Sequence, residues 1–129
     1  AVASLELTNA LVAAAREVDV PYHVGISVSS DTFWPGQERY DSFTGYVPRA
    51  LQGSLKEWQA LGACNYEMET ATLFVVAQSM GLAAASICGV VAKRTQSEHV
   101  ASSDIYQLAS ERFISVVKRA LLNMTKEGK

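Results

Sequence analysis

The spacing of apolar residues in the first part of the chain predicts a helix followed by a strand. The helix is expected to begin at Thr8 or Asn9, because either side chain can cap a helix amino terminus. Four apolar residues then share one of its faces: Leu11, Val12, Ala15 and Val18. Residues 22–29 instead carry β-branched side chains at alternate positions, which is typical of a strand.

Two more helices are predicted in the middle of the chain. Residues 54–57 form a capping-box pattern that would open a short helix, and Trp58 of that helix is expected to lie in the core rather than against a ligand. The second helix is predicted to begin close to Glu67 or Glu69 and to end at Gly81, because the apolar residues between them recur at helical spacing.

The last third of the chain predicts a strand and a long helix. Residues 83–92 are almost all apolar, over a length that suits a strand buried on both faces. Residues 104–126 carry one apolar stripe at helical spacing, as expected of a helix that packs on a core. Strands and helices that follow one another in this way predict an α/β fold.

Composition is that of one ordinary globular domain. The chain has 129 residues, 49% of them apolar, with a formal net charge of −2, which argues against nucleic acid or an anionic membrane as the main partner. No apolar run reaches the roughly 20 residues of a membrane-spanning helix. The first residues lack the basic start of a secretory signal. Small-molecule chemistry in the cytoplasm is therefore the expectation.

The sequence predicts neither a disulfide nor a metal site. Cys64 and Cys88 both have apolar neighbours, as reduced core cysteines do. His23 and His99 show no metal-ligand spacing and are expected in a strand and in a loop.

Two carboxylates stand one residue apart in residues 65–71, Asn-Tyr-Glu-Met-Glu-Thr-Ala, where an apolar run ends and a helix begins. Both could simply charge the first turn of the helix, where the dipole favours acidic groups by about 0.3–1 kcal/mol. The alternative is sugar binding, because open α/β sheets bind ligands at the carboxyl ends of their strands. A carboxylate there can accept hydrogen bonds from a vicinal diol, while the Met68 thioether packs on the sugar ring.

Residues 31–41, Asp-Thr-Phe-Trp-Pro-Gly-Gln-Glu-Arg-Tyr-Asp, follow the first predicted strand at its carboxyl end. Pro-Gly favours a turn, so one interpretation is a surface loop whose aromatic residues cover the edge of the core. The side chains also suit recognition, since Gln37 offers a donor and an acceptor, Arg39 a fork of donors and Phe33 a flat apolar wall. That set matches a planar heterocycle with adjacent carbonyl and N–H groups.

A basic segment, residues 93–96 with the sequence Lys-Arg-Thr-Gln, follows the last predicted strand at its carboxyl end. Taken alone, a basic loop of this kind is usually a solvated surface, and binding is the less favoured interpretation. Its position at the carboxyl end of a predicted strand leaves binding open as the alternative.

These segments, residues 31–41, 65–71 and 89–96, resemble bacterial uridine phosphorylases of the nucleoside phosphorylase superfamily. The resemblance spans nearly the whole chain, but only the carboxyl-terminal half of that family's longer proteins. It implies a three-layer α/β/α domain with a mixed central sheet, of which residues 1–129 form the carboxyl-terminal half. Trp34 stands where the family pattern leads us to expect Tyr.

The resemblance implies a base site and its catalytic donors. Gln37 and Arg39 would contact N3 and the carbonyl oxygens of uracil, with Phe33 against the base. Arg94 would lie near O4 beside Arg39, so that Gln37, Arg39 and Arg94 stabilise the departing uracil. Two further residues would line this pocket: Val91 and Ala92.

The resemblance also implies a ribose site. Met68 and Glu69 would hold the ribose, with Glu69 taking its hydroxyl groups. Tyr66 and Glu67 would complete that wall.

The implied activity is reversible phosphorolysis of uridine to uracil and ribose 1-phosphate in nucleoside salvage. No organic cofactor or metal is implied; inorganic phosphate is the co-substrate, and its glycine and arginine ligands belong to the half of the family's proteins that this chain does not match. A monovalent cation, where the whole enzyme holds one, would bind outside this segment. A homohexamer built as a trimer of dimers is the implied assembly.

Two alternatives remain open from the sequence. One is a purine nucleoside phosphorylase or nucleosidase of the same superfamily, although those relatives carry an Asp in the loop after the last strand, where residues 91–94 have none. The other is a non-catalytic fragment that keeps binding or assembly surfaces without chemistry.

Overall fold

The computed structural model describes residues 1–127 and shows helices combined with a small parallel sheet. In chain order the elements are α1 (Leu5–Glu17), β1 (Ile26–Ser29), a 3-10 helix (Arg49–Leu51), α2 (Ser54–Ala60), β2 (Ala63–Glu67), α3 (Thr70–Ser79) and α4 (Ser103–Glu127). The predicted α/β class is confirmed. None of the described helices has the length and apolarity that crossing a membrane requires.

The sheet brings two strand ends together. β1 and β2 pair in parallel, with Val28 opposite Tyr66 and Ser29 opposite Glu67. Parallel neighbours need a long crossover connection, which residues 30–62 supply, and α2 of that connection packs against β2. Because both strands end at the same edge, the loops that follow them leave the sheet side by side.

The best-buried core lies between α1 and α4. Its centre consists of small and branched residues that let the two helices approach closely: Ala14, Ala15, Val116 and Ala120. Ile87, from the segment that precedes α4, packs against this cluster. At one end Glu17 accepts a hydrogen bond from Asn123 at 2.9 Å and lies 3.5 Å from Arg119. The pairing is exposed and adds little to stability.

The sequence predicts the helices α3 and α4 well, but it does not predict the residue at which α1 begins. The predicted helices ending at Gly81 and covering residues 104–126 are confirmed as α3 and α4. The predicted start of α1 is wrong, because Ser4 rather than Thr8 or Asn9 caps it, its Oγ accepting from the Leu7 N–H at 3.3 Å.

The strand predictions need two corrections. The strand predicted over residues 22–29 is shorter and begins at Ile26. Residues 83–92 form no strand in the described structure; they run over α4, where a Cβ on Gly89 would come within 3.1 Å of the Ala109 Cβ. Ile87 packs against the core between α1 and α4, whereas Val90 is 72% exposed, so only part of the run is covered by a helix. An apolar run of this kind does not by itself distinguish a strand from a segment that packs on a helix.

Three apolar side chains predicted in the core are exposed instead. Trp58 is 40% exposed, and Cys64 and Cys88 are both exposed thiols. All three line one cavity, so these residues supply apolar wall rather than core.

Candidate functional site

A cavity of about 860 Å³ lies where the loops after β1 and β2 meet the segment before α4. Its volume falls within the range of roughly 300–1,000 Å³ that is usual for small-molecule sites. Every residue predicted as a site residue lines it: Phe33, Gln37, Arg39, Tyr66, Glu67, Met68, Glu69, Val91, Ala92 and Arg94. Three segments far apart in sequence are thus brought to one place.

The loop after β1 is a tight turn that only glycine can close. The predicted turn at Pro35 and Gly36 is confirmed. A Cβ on Gly36 would lie 2.8 Å from the Thr32 carbonyl oxygen and closer still to Ser30 Oγ. The Arg39 N–H donates to the Trp34 carbonyl at 2.8 Å. This fold of the loop turns Gln37 and Arg39 toward the cavity.

Arg39 is almost fully engaged by the protein itself. It is 2% exposed, and its Nε and Nη2 bind the two carboxylate oxygens of Asp41 at 3.1 and 2.8 Å. Nη2 also donates to the Glu98 carbonyl, and the guanidinium stands 4.5 Å from the centre of the Phe33 ring. The hydrogen bond from Arg39 lowers the pKa of Asp41. Among the described contacts Nη1 has none, so this nitrogen is the donor that Arg39 can offer to a ligand.

Gln37 offers its whole side-chain amide. The residue is 6% exposed and lines the cavity, yet within the described structure its amide makes no hydrogen bond. Its backbone carbonyl is held by Arg94 Nη1 at 2.9 Å. The amide therefore presents one acceptor and two donors from a fixed backbone.

Arg94 binds the backbone of the loop that carries Gln37 and Arg39, and one of its three nitrogens has no described partner. Its Nη1 and Nη2 donate to the carbonyls of Gln37 and Glu38, the latter at 3.0 Å. Its Nε and the Tyr66 hydroxyl are buried without a partner among the described residues. Burial, together with the nearby charge of Arg39, lowers the pKa of Arg94, and burial raises the pKa of Tyr66. Buried polar atoms without partners are rare in proteins and mark places where a ligand or water binds.

The two carboxylates after β2 have different roles. Glu67 accepts hydrogen bonds from the Ser29 hydroxyl and from the N–H groups of Glu69 and Thr70, at 2.8 and 2.5 Å for the last two. Burial would raise the pKa of Glu67, but the hydrogen bonds from Ser29 and Thr70 outweigh it and the pKa is lowered. Glu67 is therefore committed to the start of α3, although it also borders the cavity.

Glu69 is exposed and bound less tightly. Within the described structure its carboxylate accepts one hydrogen bond, from the Met68 N–H at 3.3 Å, while its own N–H donates to Glu67. Its carboxylate can therefore accept hydrogen bonds from a ligand, next to the exposed thioether of Met68. Of the two interpretations of this acidic pair, helix capping suits Glu67 and ligand binding suits Glu69.

Three residues that support the site were missed by sequence reasoning. Ser29 donates to Glu67 and accepts from the Ala71 N–H at 2.9 Å. Glu98 binds the Tyr40 N–H at 2.9 Å through its carboxylate. Glu38 caps α2, where the predicted capping box is wrong because Gly53, not Ser54, is the N-cap. No local signal could have found these residues, since their partners lie far away in sequence.

No grouping that suits a metal occurs in the described residues, where no three His, Cys, Asp or Glu side chains gather closely enough to hold an ion. A few hydrogen-bond donors and one accessible carboxylate stand instead in a cavity wall that is largely apolar. This chemistry suits a neutral, polar, partly planar ligand.

The fold is that of an α/β protein with a cavity at the carboxyl ends of parallel strands. A family model described as the phosphorylase superfamily matches residues 1–122. The chain belongs to the phosphorylase superfamily. It is 48% identical over 120 residues to the uridine phosphorylase of Escherichia coli K12, a match that covers 93% of this chain and 47% of that protein.

Two further relatives carry the same name. The uridine phosphorylase of Haemophilus influenzae is 49% identical over 117 residues, covering 91% of this chain and 46% of that protein. That of Thermococcus kodakarensis is 41% identical over 98 residues, covering 76% and 35%. The predicted family is confirmed, and the chain spans about half the length of the curated relatives that it matches.

Proposed function

We propose that this segment forms the nucleoside-binding part of a uridine phosphorylase, which cleaves uridine with inorganic phosphate to give uracil and ribose 1-phosphate. One observation carries the proposal. The unengaged amide of Gln37 and the accessible carboxylate of Glu69 share one cavity, with the cations Arg39 and Arg94 beside Gln37. The names of the relatives support the same conclusion.

The base end of the site would act on the leaving group. As phosphate attacks C1′ of the ribose, the bond from C1′ to N1 of uracil breaks and its electron pair passes to the uracil ring. Donors from Gln37, Arg39 and Arg94 bind that charge more strongly than they bind neutral uridine. Interactions that strengthen in the transition state lower the barrier.

The residues at the sugar end of the cavity would position the ribose. Glu69 accepts hydrogen bonds from the ribose hydroxyls and Met68 packs on the ring, which aligns C1′ between phosphate and base. Tyr66, Val91 and Ala92 complete the wall. No covalent nucleophile is proposed, and the phosphate ligands are proposed to lie outside these residues.

The other parts of the proposal rest on the family resemblance alone. We infer a homohexamer arranged as a trimer of dimers, located in the cytoplasm and serving pyrimidine salvage, with no organic cofactor. Light scattering on the intact protein tests the assembly, because six subunits and any smaller number give clearly separate masses.

Uracil release from uridine by the intact protein, with and without inorganic phosphate, tests the activity. We expect release that requires phosphate, and no comparable release of hypoxanthine from inosine. Release without phosphate would indicate a nucleosidase, and a preference for inosine would indicate a purine phosphorylase. Binding of uracil without turnover in either condition would favour a non-catalytic module.

A further inference from the structure

Glu38 stands between Gln37 and Arg39 but reaches in a different direction. Its φ of 51° lies in the left-handed region, which non-glycine residues rarely adopt. The residue is 9% exposed and is absent from the cavity wall, whereas both of its neighbours line that wall. The left-handed backbone thus sends one side chain to the protein interior and two to the cavity.

The carboxylate of Glu38 caps α2. It accepts from the N–H groups of Gly53 and Leu55 at 2.5 and 2.6 Å and from the hydroxyls of Tyr40 and Ser54 at 3.2 and 3.4 Å. No side chain of α2 caps this end. Charged acceptors are favoured at a helix amino terminus, where the N–H groups lack partners within the helix.

The ionised state of Glu38 fits this role. Burial would raise the pKa of its carboxyl group, but the hydrogen bonds from the Leu55 and Gly53 N–H groups outweigh burial, and the pKa is lowered. The carboxylate is therefore charged at neutral pH.

The backbone of Glu38 is held as well as its side chain. Its N–H donates to the Pro35 carbonyl at 3.1 Å, and its carbonyl accepts from Arg94 Nη2 at 3.0 Å. A left-handed non-glycine residue persists only where its surroundings hold it. Here α2, the turn and Arg94 do so together.

We propose that Glu38 is a positioning residue, which sets the placement of Gln37 and Arg39 in the cavity by anchoring their loop to the amino terminus of α2. The inference deepens the proposed function, on which its ligand assignment rests. If it is correct, loss of the Glu38 carboxylate disturbs recognition of a base and leaves recognition of a sugar phosphate intact. A merely stabilising residue would affect both ligands alike.

The test uses Glu38→Gln and Glu38→Ala in the intact protein, with Glu57→Gln as the matched control. Glu57 lies in the first turn of the same helix and is exposed. Two measurements are made on each protein: dissociation constants for uracil and for ribose 1-phosphate, and amide hydrogen exchange over residues 34–41.

We expect Glu38→Gln to weaken uracil binding by about 10-fold and Glu38→Ala by about 100-fold, since small displacements of binding groups have effects of that order. Ribose 1-phosphate binding should stay within about twofold. Exchange of the loop amides should accelerate in the same order, and Glu57→Gln should match the wild type throughout.

Equal weakening of both ligands, or unchanged loop exchange in both Glu38 variants, would overturn the inference. A wild-type protein that binds no uracil would instead overturn the proposed function. In that case loop exchange alone decides whether Glu38 anchors the loop. If Glu38→Ala fails to fold, Glu38→Gln supplies both readouts.

Discussion

At the scale of single residues, Arg39 illustrates why an arginine suits this site. Its planar fork binds Asp41 with two nitrogens, reaches the Glu98 carbonyl and lies against Phe33. A lysine keeps the charge but cannot reproduce these bonds, because its ammonium group is a point donor.

We expect Arg39→Lys to cost about 1.5–3 kcal/mol of charge-assisted hydrogen bonding in the transition state, which would lower kcat/KM for uridine roughly 10- to 160-fold. Steady-state kinetics on the intact protein measures the effect. Arg49→Lys, at an exposed position, is the control and should leave the kinetics unchanged. Wild-type kinetics in Arg39→Lys would remove Arg39 from the base site.

The acidic pair gives a second residue-scale prediction. The Glu67 carboxylate accepts hydrogen bonds from Ser29 and from two backbone N–H groups, whereas the Glu69 carboxylate accepts one long hydrogen bond. We expect Glu67→Gln to lower the free energy of unfolding by about 1 kcal/mol, as loss of a cap does, and Glu69→Gln to change it by less than about 0.5 kcal/mol. Urea titration measures both.

Ligand binding should show the reverse order. Glu69→Gln is expected to weaken ribose 1-phosphate binding by about 10-fold, the loss of one charge-assisted bond. If Glu67→Gln proved the more damaging to binding and the less damaging to stability, the division of roles between Glu67 and Glu69 would be wrong.

At the scale of elements, α2 and α3 are both capped by a carboxylate from outside the helix. The pKa values of Glu38 and Glu67 lie below their ordinary 4.5. Because the folded-state pKa is lowered, each cap stabilises fully above the ordinary pKa, and the contribution is lost as the pH falls through the folded-state value.

We therefore expect the intact protein to lose stability as the pH falls below about 4.5, with a smaller loss in the double variant Glu38→Gln/Glu67→Gln. Urea titrations across this pH range measure the slope, and Glu57→Gln should keep the wild-type slope. An unchanged slope in the double variant would mean that these carboxylates are not charged caps.

At the scale of the whole molecule, α3 is a helix whose apolar residues have too little cover. Its buried residues are Thr70 and Ala77, while Leu73, Val75 and Val76 are 48%, 60% and 50% exposed. Helices with apolar residues on several faces are normally buried. We expect these apolar side chains to be covered in the assembled protein.

Val75→Lys tests this expectation. In the assembled protein it should lower the free energy of unfolding by about 1–3 kcal/mol, because a charge would enter an apolar contact. Gln78→Lys, at an exposed position of the same helix, should have an effect below about 0.5 kcal/mol. Equal and small effects would mean that Val75 faces water.

The sequence by itself determined the family, the α/β class, the helices α3 and α4, and which residues would meet in a cavity. Helical spacing is local, and the three motifs each follow a strand or an extended run, so their positions can be deduced from neighbours along the chain. Their role in binding stays a prediction.

Tertiary structure alone decided which polar groups are occupied and which are available. The hydrogen bonds from Arg39 to Glu98 and from Gly53 and Leu55 to Glu38 join residues that no local pattern connects. The same holds for residues 83–92, whose apolar run could have packed in a sheet or on a helix. The local sequence limits which contacts a side chain can make, and only long-range packing selects its partner.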